Sequence, residues 1–300
     1  MADDPRWPRA SAWLAGDHHP EPRARLAVMG VPLHLGSITE SRADLAPAAV
    51  REALTGFSVW DGEDDLRRVA VRDQGDLPVA DLSPEDALQT IAGAVGGSRE
   101  TADALVLLGG DNSITRPGVR GLGPALDRIG LLTLDAHFDL RDTDAGMRNG
   151  NPVRALLEDG LPGENIAQVG IQPFANSPEY AAVARDAGIA VVPAEEVRAR
   201  GIAAAVTEAL ARLEERADAI YVDLDVDVLD RAFAPACPGS RPGGLTPADL
   251  QTAARLAGAH PKVRAVDLVE VDPTEDVAAV TVLATAAALL SFAAGLATRP

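Results

Sequence analysis

Two short stretches of this 300-residue chain concentrate groups that bind cations. Asp135-Ala136-His137-Phe138-Asp139 sets two carboxylates and an imidazole at alternate positions. Asp225-Val226-Asp227-Val228-Leu229-Asp230 repeats the alternation, with Asp223 one step behind. Alternate side chains of an extended backbone share a face, so Asp135, His137 and Asp139 project together, as do Asp223, Asp225 and Asp227. Ionised carboxylates aimed into one cleft repel each other, and leaving them unpaired at an apolar sheet end is costly. One or two divalent cations resolve that conflict. Oxygen ligands with a single nitrogen favour Mn2+ or Mg2+ over a thiolate-seeking metal. Any one of these aspartates could instead cap a helix or loop, and a lone histidine is more often an ordinary loop residue. Four carboxylates and an imidazole converging together point to metal.

These groups must be held by rigid elements, and the apolar runs show which. Strands are expected at Leu26–Met29, Val69–Val71, Ala104–Leu108, Gly130–Leu134, Ile166–Val169, Ile189–Val192, Ala219–Leu224 and Val263–Val269. Helical stretches alternate with them at Pro84–Val95, Pro152–Asp159, Ser177–Ala187, Ile202–Arg216 and Thr246–Ala257. Ser83 before Pro84-Glu85-Asp86 and Thr246 before Pro247-Ala248-Asp249 are helix-start signals. The pattern is that of an α/β fold: a single three-layer domain, with a mostly parallel sheet of about eight strands and helices on both faces. Such sheets gather function beyond the carboxyl ends of their strands. Four of the expected strands run straight into polar clusters: Gly109-Gly110-Asp111-Asn112-Ser113, the two aspartate motifs, and Glu270-Val271-Asp272-Pro273. Residues 25–300 form the expected domain, behind a loose, polar N-terminal extension over 1–24 in which His18 and His19 face solvent.

Composition narrows the partners. Lys and Arg total 27 against 45 Asp and Glu, a net charge of −18, which disfavours nucleic acid and favours cations. The single cysteine, Cys237, excludes an intrachain disulfide and a cysteine-based zinc or iron–sulfur site. It reads as an inert buried thiol, and His34 as an ordinary loop residue. Gly109-Gly110 lacks the spacing and the Lys-Ser/Thr ending of a phosphate loop. Val277–Ala297 is uncharged and long enough to span a bilayer. It is rich in alanine and interrupted by Thr281, Thr285, Ser291 and Gly295, so a buried core helix is expected. With no apolar signal segment over residues 1–25, a cytoplasmic location is expected.

Asp135-Ala136-His137-Phe138-Asp139 resembles the DAHxD signature of the ureohydrolase (arginase/agmatinase) superfamily of binuclear manganese hydrolases. The Asp225–Asp230 segment, Ala232-Phe233-Ala234-Pro235 and Pro242-Gly243-Gly244-Leu245 are similar to its second metal segment and following loop. Gly109–Ser113, Val269-Glu270-Val271 and Gly30-Val31-Pro32 also match, in order, over nearly the whole chain from about residue 25. The resemblance implies two Mn2+ per subunit. Asp135 and Asp225 would bridge both, His137 and Asp227 would complete one site, and Asp139 with Asn112 the other. Position 112 is a histidine in most of the family, and an amide oxygen is a weaker ligand, which implies a loosely held second ion. It further implies attack by hydroxide on an sp² carbon, with Glu270 holding the substrate's N–H groups and Asp139 moving a proton.

Within the superfamily, Phe138-Asp139-Leu140-Arg141, Asn149-Gly150-Asn151-Pro152-Val153-Arg154, Phe174-Ala175-Asn176-Ser177 and Cys237-Pro238 look most like the formimidoylglutamase branch of histidine degradation. Asn149 stands where arginases and agmatinases have a histidine. Arg141, Arg154 and Asn149 are the candidates for the far end of a dicarboxylate substrate. The resemblance implies a small-molecule substrate, N-formimidoyl-L-glutamate, yielding L-glutamate and formamide. It also implies a homo-oligomer, trimer or hexamer, with no nucleic-acid or membrane partner. The alternatives are an agmatinase or another guanidino-acid ureohydrolase, and a metal-depleted relative without catalysis.

Overall fold

The computed structural model describes residues 4, 6–16 and 23–299; His18 and His19 lie outside them. The strands are β1 (Ala24–Gly30), β2 (Val71–Asp76), β3 (Ala102–Leu108), β4 (Ile129–Leu134), β5 (Ile166–Ile171), β6 (Ala190–Pro193), β7 (Ala219–Asp225) and β8 (Val263–Val269). The helices are α1 (Ala10–Leu14), α2 (Ala46–Ala53), α3 (Pro84–Thr101), α4 (Thr115–Gly121) and α5 (Pro152–Glu158), then α6 (Pro178–Ala187), α7 (Ala194–Arg200), α8 (Ile202–Glu214), α9 (Pro247–Ala259) and α10 (Val280–Ala297). The strands form one eight-stranded sheet in the order β2-β1-β3-β8-β7-β4-β5-β6, and every neighbouring pair is parallel. Buried apolar side chains pack into two clusters, and adjacent residues of a strand such as Leu107 and Leu108 fall into different ones. That division is the three-layer architecture expected from near-continuous apolar strands.

The sheet order positions the site. β3, β8, β7 and β4 are neighbours at its centre, and these are the four strands whose carboxyl ends lead into polar clusters. Clusters separated by up to a hundred residues or more in the chain therefore share one edge of the sheet.

Five elements depart from the expectation. β2 lies at Val71–Asp76 rather than Val69–Val71. It is an edge strand held by backbone pairing to β1, and most of its side chains are exposed, so its apolar pattern is silent. The N-terminal extension is not loose throughout. Ala10, Trp13 and Leu14 of α1 are buried, and the Trp13 indole N–H donates to the Val69 carbonyl at 3.0 Å. Short helices α2, α4 and α7 also escape sequence periodicity.

α10 is long and apolar enough to cross a membrane, with mean hydropathy 2.0, but 67% of it is buried within this fold. It packs on α9 through two glycines. A Cβ on Gly258 would come within 2.1 Å of the Phe292 carbonyl oxygen, and one on Gly295 within 2.0 Å of that of Arg255. The first turn of α10 is capped by Asp276, whose carboxylate accepts from the N–H groups of Thr281 and Val282.

Candidate metal centre

Beyond β4 and β7 the backbone leaves the extended form, so the aspartate motifs converge by turning rather than by strict alternation. Asp135 accepts the His137 N–H at 2.6 Å, and Asp225 accepts the Asp227 N–H at 2.8 Å. These turns fold each carboxylate back over its own motif. The His137 imidazole Nδ1 then lies 2.9 Å from Asp227 and 3.4 Å from Asp135. Donor atoms of Asp135, His137 and Asp227 all lie within 4.8 Å of one another. Asp139, Asp225 and Glu270 line the same cleft, which holds about 150 Å3. Asp139 and Glu270 both adopt left-handed backbone, at φ 54° and 68°, a conformation costly for these residue types and typical of functional sites.

The electrostatics show a centre short of positive charge. Burial, then repulsion from Asp227, pushes Asp135 up to about 6. Asp139 and Asp225 are also held well above the usual carboxylate range, by burial and then by Asp135 and Asp227 respectively. The Asp227 charge drives the His137 imidazole up to about 12. Burial alone would raise Asp227, but the neighbouring His137 charge, together with the hydrogen bonds from His137 and the Ala136 N–H, outweighs it and leaves Asp227 below its ordinary value. Asp135 Oδ2 is buried with no hydrogen-bond partner among the described residues, at a cost that a cation would remove. Carboxylates plus one imidazole are a donor set suited to a hard divalent ion such as Mn2+, and the geometry fits one.

The other expected residues divide. Glu270 is buried, and burial followed by the Asp111 charge pushes it up to about 8. Its Oε1 accepts from the Asn112 backbone N–H at 2.7 Å and from the Asn149 amide at 3.0 Å. Asn149 thus clamps Glu270, while its own oxygen accepts the Ile38 N–H. Arg141 lines the cleft. Its stem passes so close to Gly150 that a Cβ there would meet it at 2.8 Å.

Asn112 is turned opposite to the orientation of a ligand. Its amide N–H group, not its oxygen, faces the centre: Nδ2 donates to Asp139 at 2.6 Å, and Oδ1 lies 2.6 Å from the Thr115 hydroxyl. The carboxylate draws the donor end toward it. Arg154 requires a correction. It sits on α5 with its Nε 2.8 Å from Glu158, one helical turn on, and does not line the cleft. Asp223 faces Asp267 across β7 and β8 rather than joining the cleft, and Asp230 accepts the Ala232 and Gly243 N–H groups as a turn residue. Cys237 is buried, and burial raises its thiol well above the ordinary value, so it is inert.

Sequence reasoning missed Arg241, Asn176 and Tyr180, which also line the cleft. Asn176 fixes the first metal motif by accepting the Phe138 N–H and donating to the Ala136 carbonyl, each at 2.9 Å. Arg241 Nη1 reaches the carbonyls of Pro238, Gly239 and Ser240. Arg241 has no sequence signal, since it belongs to an irregular loop, whereas Asn176 stands in the Phe174–Ser177 segment that carries part of the resemblance without being marked there as a cleft residue.

A model of the Arginase family matches residues 24–295. The chain is 37% identical over 281 residues to the formimidoylglutamase of Halalkalibacterium halodurans, covering 89% of this chain and 86% of that protein. The crystal structure of the Bacillus subtilis formimidoylglutamase superposes with a TM-score of 0.92 at 29% identity, covering 100% of this chain and 95% of that one. Trypanosoma cruzi formiminoglutamase with Mn2+ superposes at TM-score 0.88 and 24% identity, covering 98% and 100% of the two chains, a likeness of fold.

Proposed function

From a chain that belongs to the arginase family, we infer a hydrolase that cleaves the C–N bond of a formimino group, with N-formimidoyl-L-glutamate as substrate and L-glutamate and formamide as products. The observation that carries this reading is the pairing of an amidine-binding carboxylate, Glu270, with two arginines on the walls of the same cleft, Arg141 and Arg241. It is supported by the 37% identity to a formimidoylglutamase. An amine tail such as that of agmatine would meet like charge at these arginines, whereas carboxylates find partners.

Asp135, His137, Asp225, Asp227 and Asp139 would hold the cations, for which Mn2+, two per chain, is the proposed ion. Bound there, such ions lower the pKa of water so that hydroxide is available near neutral pH. Glu270 pairs with the N–H groups of the formimino end, and the Asn112 and Asn149 donors keep its carboxylate from swinging away. That clamp fixes the sp² carbon over the aspartates, which is the positioning a hydrolytic attack requires. Asp139, at the cleft floor, accepts the proton of the attacking water. Arg141 and Arg241 orient the carboxylate tail.

The test is a product-release assay with formimidoylglutamate, agmatine and arginine, with and without added Mn2+. Turnover of formimidoylglutamate well above the other two is expected, and a preference for agmatine would refute the substrate assignment. Two substitutions refine it. Arg141→Ala should lower kcat/KM for formimidoylglutamate by at least about tenfold, mostly through KM, since a hydrogen bond to a charged group is worth about 1.5–3 kcal/mol. Arg154→Ala should leave both constants within about twofold, because an exposed one-turn helix pair is worth only about 0.3–0.5 kcal/mol. Metal content should be unchanged in both.

A further inference from the structure

Behind the metal centre runs a buried polar chain that the proposed chemistry does not use. Thr115, at the start of α4, places its hydroxyl 2.6 Å from Asn112 Oδ1 and 2.8 Å from Asp267 Oδ2. The same Asp267 oxygen accepts the Tyr221 hydroxyl at 2.8 Å. Thr115, Asp267 and Tyr221 are completely buried and Asn112 is 1% exposed. Tyr221 is seated without slack: a Cβ on Gly118 of α4 would fall 2.2 Å from its oxygen. Asp223 stands opposite Asp267 in register on the next strand, and neither Asp223 oxygen has a hydrogen-bond donor among the described residues.

A threonine hydroxyl carries one proton and two acceptor lone pairs. It cannot donate to Asn112 Oδ1 and Asp267 Oδ2 at once, so the two bonds compete for that proton. If the proton goes to Asn112, the amide oxygen is held at Thr115 and the N–H group faces Asp139, as seen here. If it goes to Asp267, the hydroxyl is left as an acceptor, which favours Asn112 turning its terminal amide by half a turn to donate to it. That turn delivers the amide oxygen to Asp139, where it is repelled unless a cation stands between them, and where it becomes a ligand if one does. Thr115 can serve both arrangements only because its hydroxyl can accept as well as donate.

We propose that Thr115, steered by Asp267 and Tyr221, is a positioning residue that sets which end of the Asn112 amide faces Asp139, and thereby how tightly a second cation is held there. The inference rests on the reading of Asp139 as a cation ligand. It makes the weakness of an amide ligand adjustable: the residue behind Asn112 decides whether an oxygen is offered at all.

The experiment titrates metal-free full-length protein with Mn2+ by calorimetry, with stoichiometry from elemental analysis, in wild type, Thr115→Val, Thr115→Ser and Tyr221→Phe. Val matches threonine in shape but can neither donate nor accept. Its weaker ion should lose affinity by about 10-fold or more, the scale typical of residues that orient metal ligands, while the tighter ion keeps its affinity. Thr115→Ser should return to within about threefold of wild type. Tyr221→Phe removes a competing donor to Asp267, commits the Thr115 proton to that carboxylate, and should tighten the weaker ion. The opposite signs separate positioning from general loosening, and Tyr221→Phe decides the matter if Thr115→Val fails to fold. A wild type that takes up a single ion overturns the two-cation reading and the proposal with it. Two ions bound with the same affinities in wild type and in the variants, or a Tyr221→Phe that weakens the site, overturns the role of Thr115 alone.

Discussion

Asp225→Ala should reduce turnover by about 10³-fold or more, and added Mn2+ should not restore it. Asp225 is a buried carboxylate on the floor of the cleft, pushed well above its ordinary range by burial and by Asp227. Its charge is therefore costly to the metal-free fold and useful only when a cation offsets it. Two readouts follow besides activity. The variant should bind less Mn2+ per chain. It should also lose the stabilisation that excess metal gives wild type, about 2.7 kcal/mol at a hundredfold excess over Kd, seen as a thermal midpoint that no longer moves on adding Mn2+. The substitution removes an acceptor for the Asp227 N–H, so some loss of order at that turn accompanies it. Near-normal turnover in this variant would sink the binuclear reading outright.

Glu270→Gln should cost roughly 30- to several-thousand-fold in kcat/KM, as truncation of one partner of a buried charge pair does, with Mn2+ content unchanged. The glutamine is nearly isosteric, and its carbonyl oxygen can still accept the Asn112 and Asn149 donors that now meet Oε1. The clamp and the left-handed backbone at position 270 are therefore preserved, and the change removes charge rather than shape. An amidinium facing a neutral amide loses its ionic partner, and the lost energy is realised at the reacting end of the substrate. If Glu270→Gln retains wild-type kcat/KM, Glu270 does not hold the substrate and the orientation of the cleft must be redrawn.

The division between Arg141 and Arg154 shows where sequence reading stops. Both follow the first metal motif, and both read as carboxylate partners. Which one faces the cleft depends on the rotation of α5 and on Glu158 lying one turn after Arg154. Arg241 reaches the same cleft from a loop a hundred residues further along, a proximity that no local pattern encodes. The misplaced β2 has a similar origin. Its side chains are mostly exposed, so what fixes it is backbone pairing with β1.

The sequence by itself determined the elements and the kind of chemistry. Near-continuous apolar runs require strands buried on both faces, helices between them require parallel pairing, and five cation-seeking groups at strand ends are stable together only around a metal. Those conclusions hold whatever the arrangement, because burial cost and like-charge repulsion are properties of the residue types. Only the tertiary structure decided that β3, β8, β7 and β4 lie side by side, that Asp223 meets Asp267 instead of the metal centre, and that Asn112 turns its N–H group toward Asp139. These are matters of neighbourhood: a hydrogen bond or ion pair forms with whatever group packing brings within about 3 Å, and packing is settled by the whole chain at once.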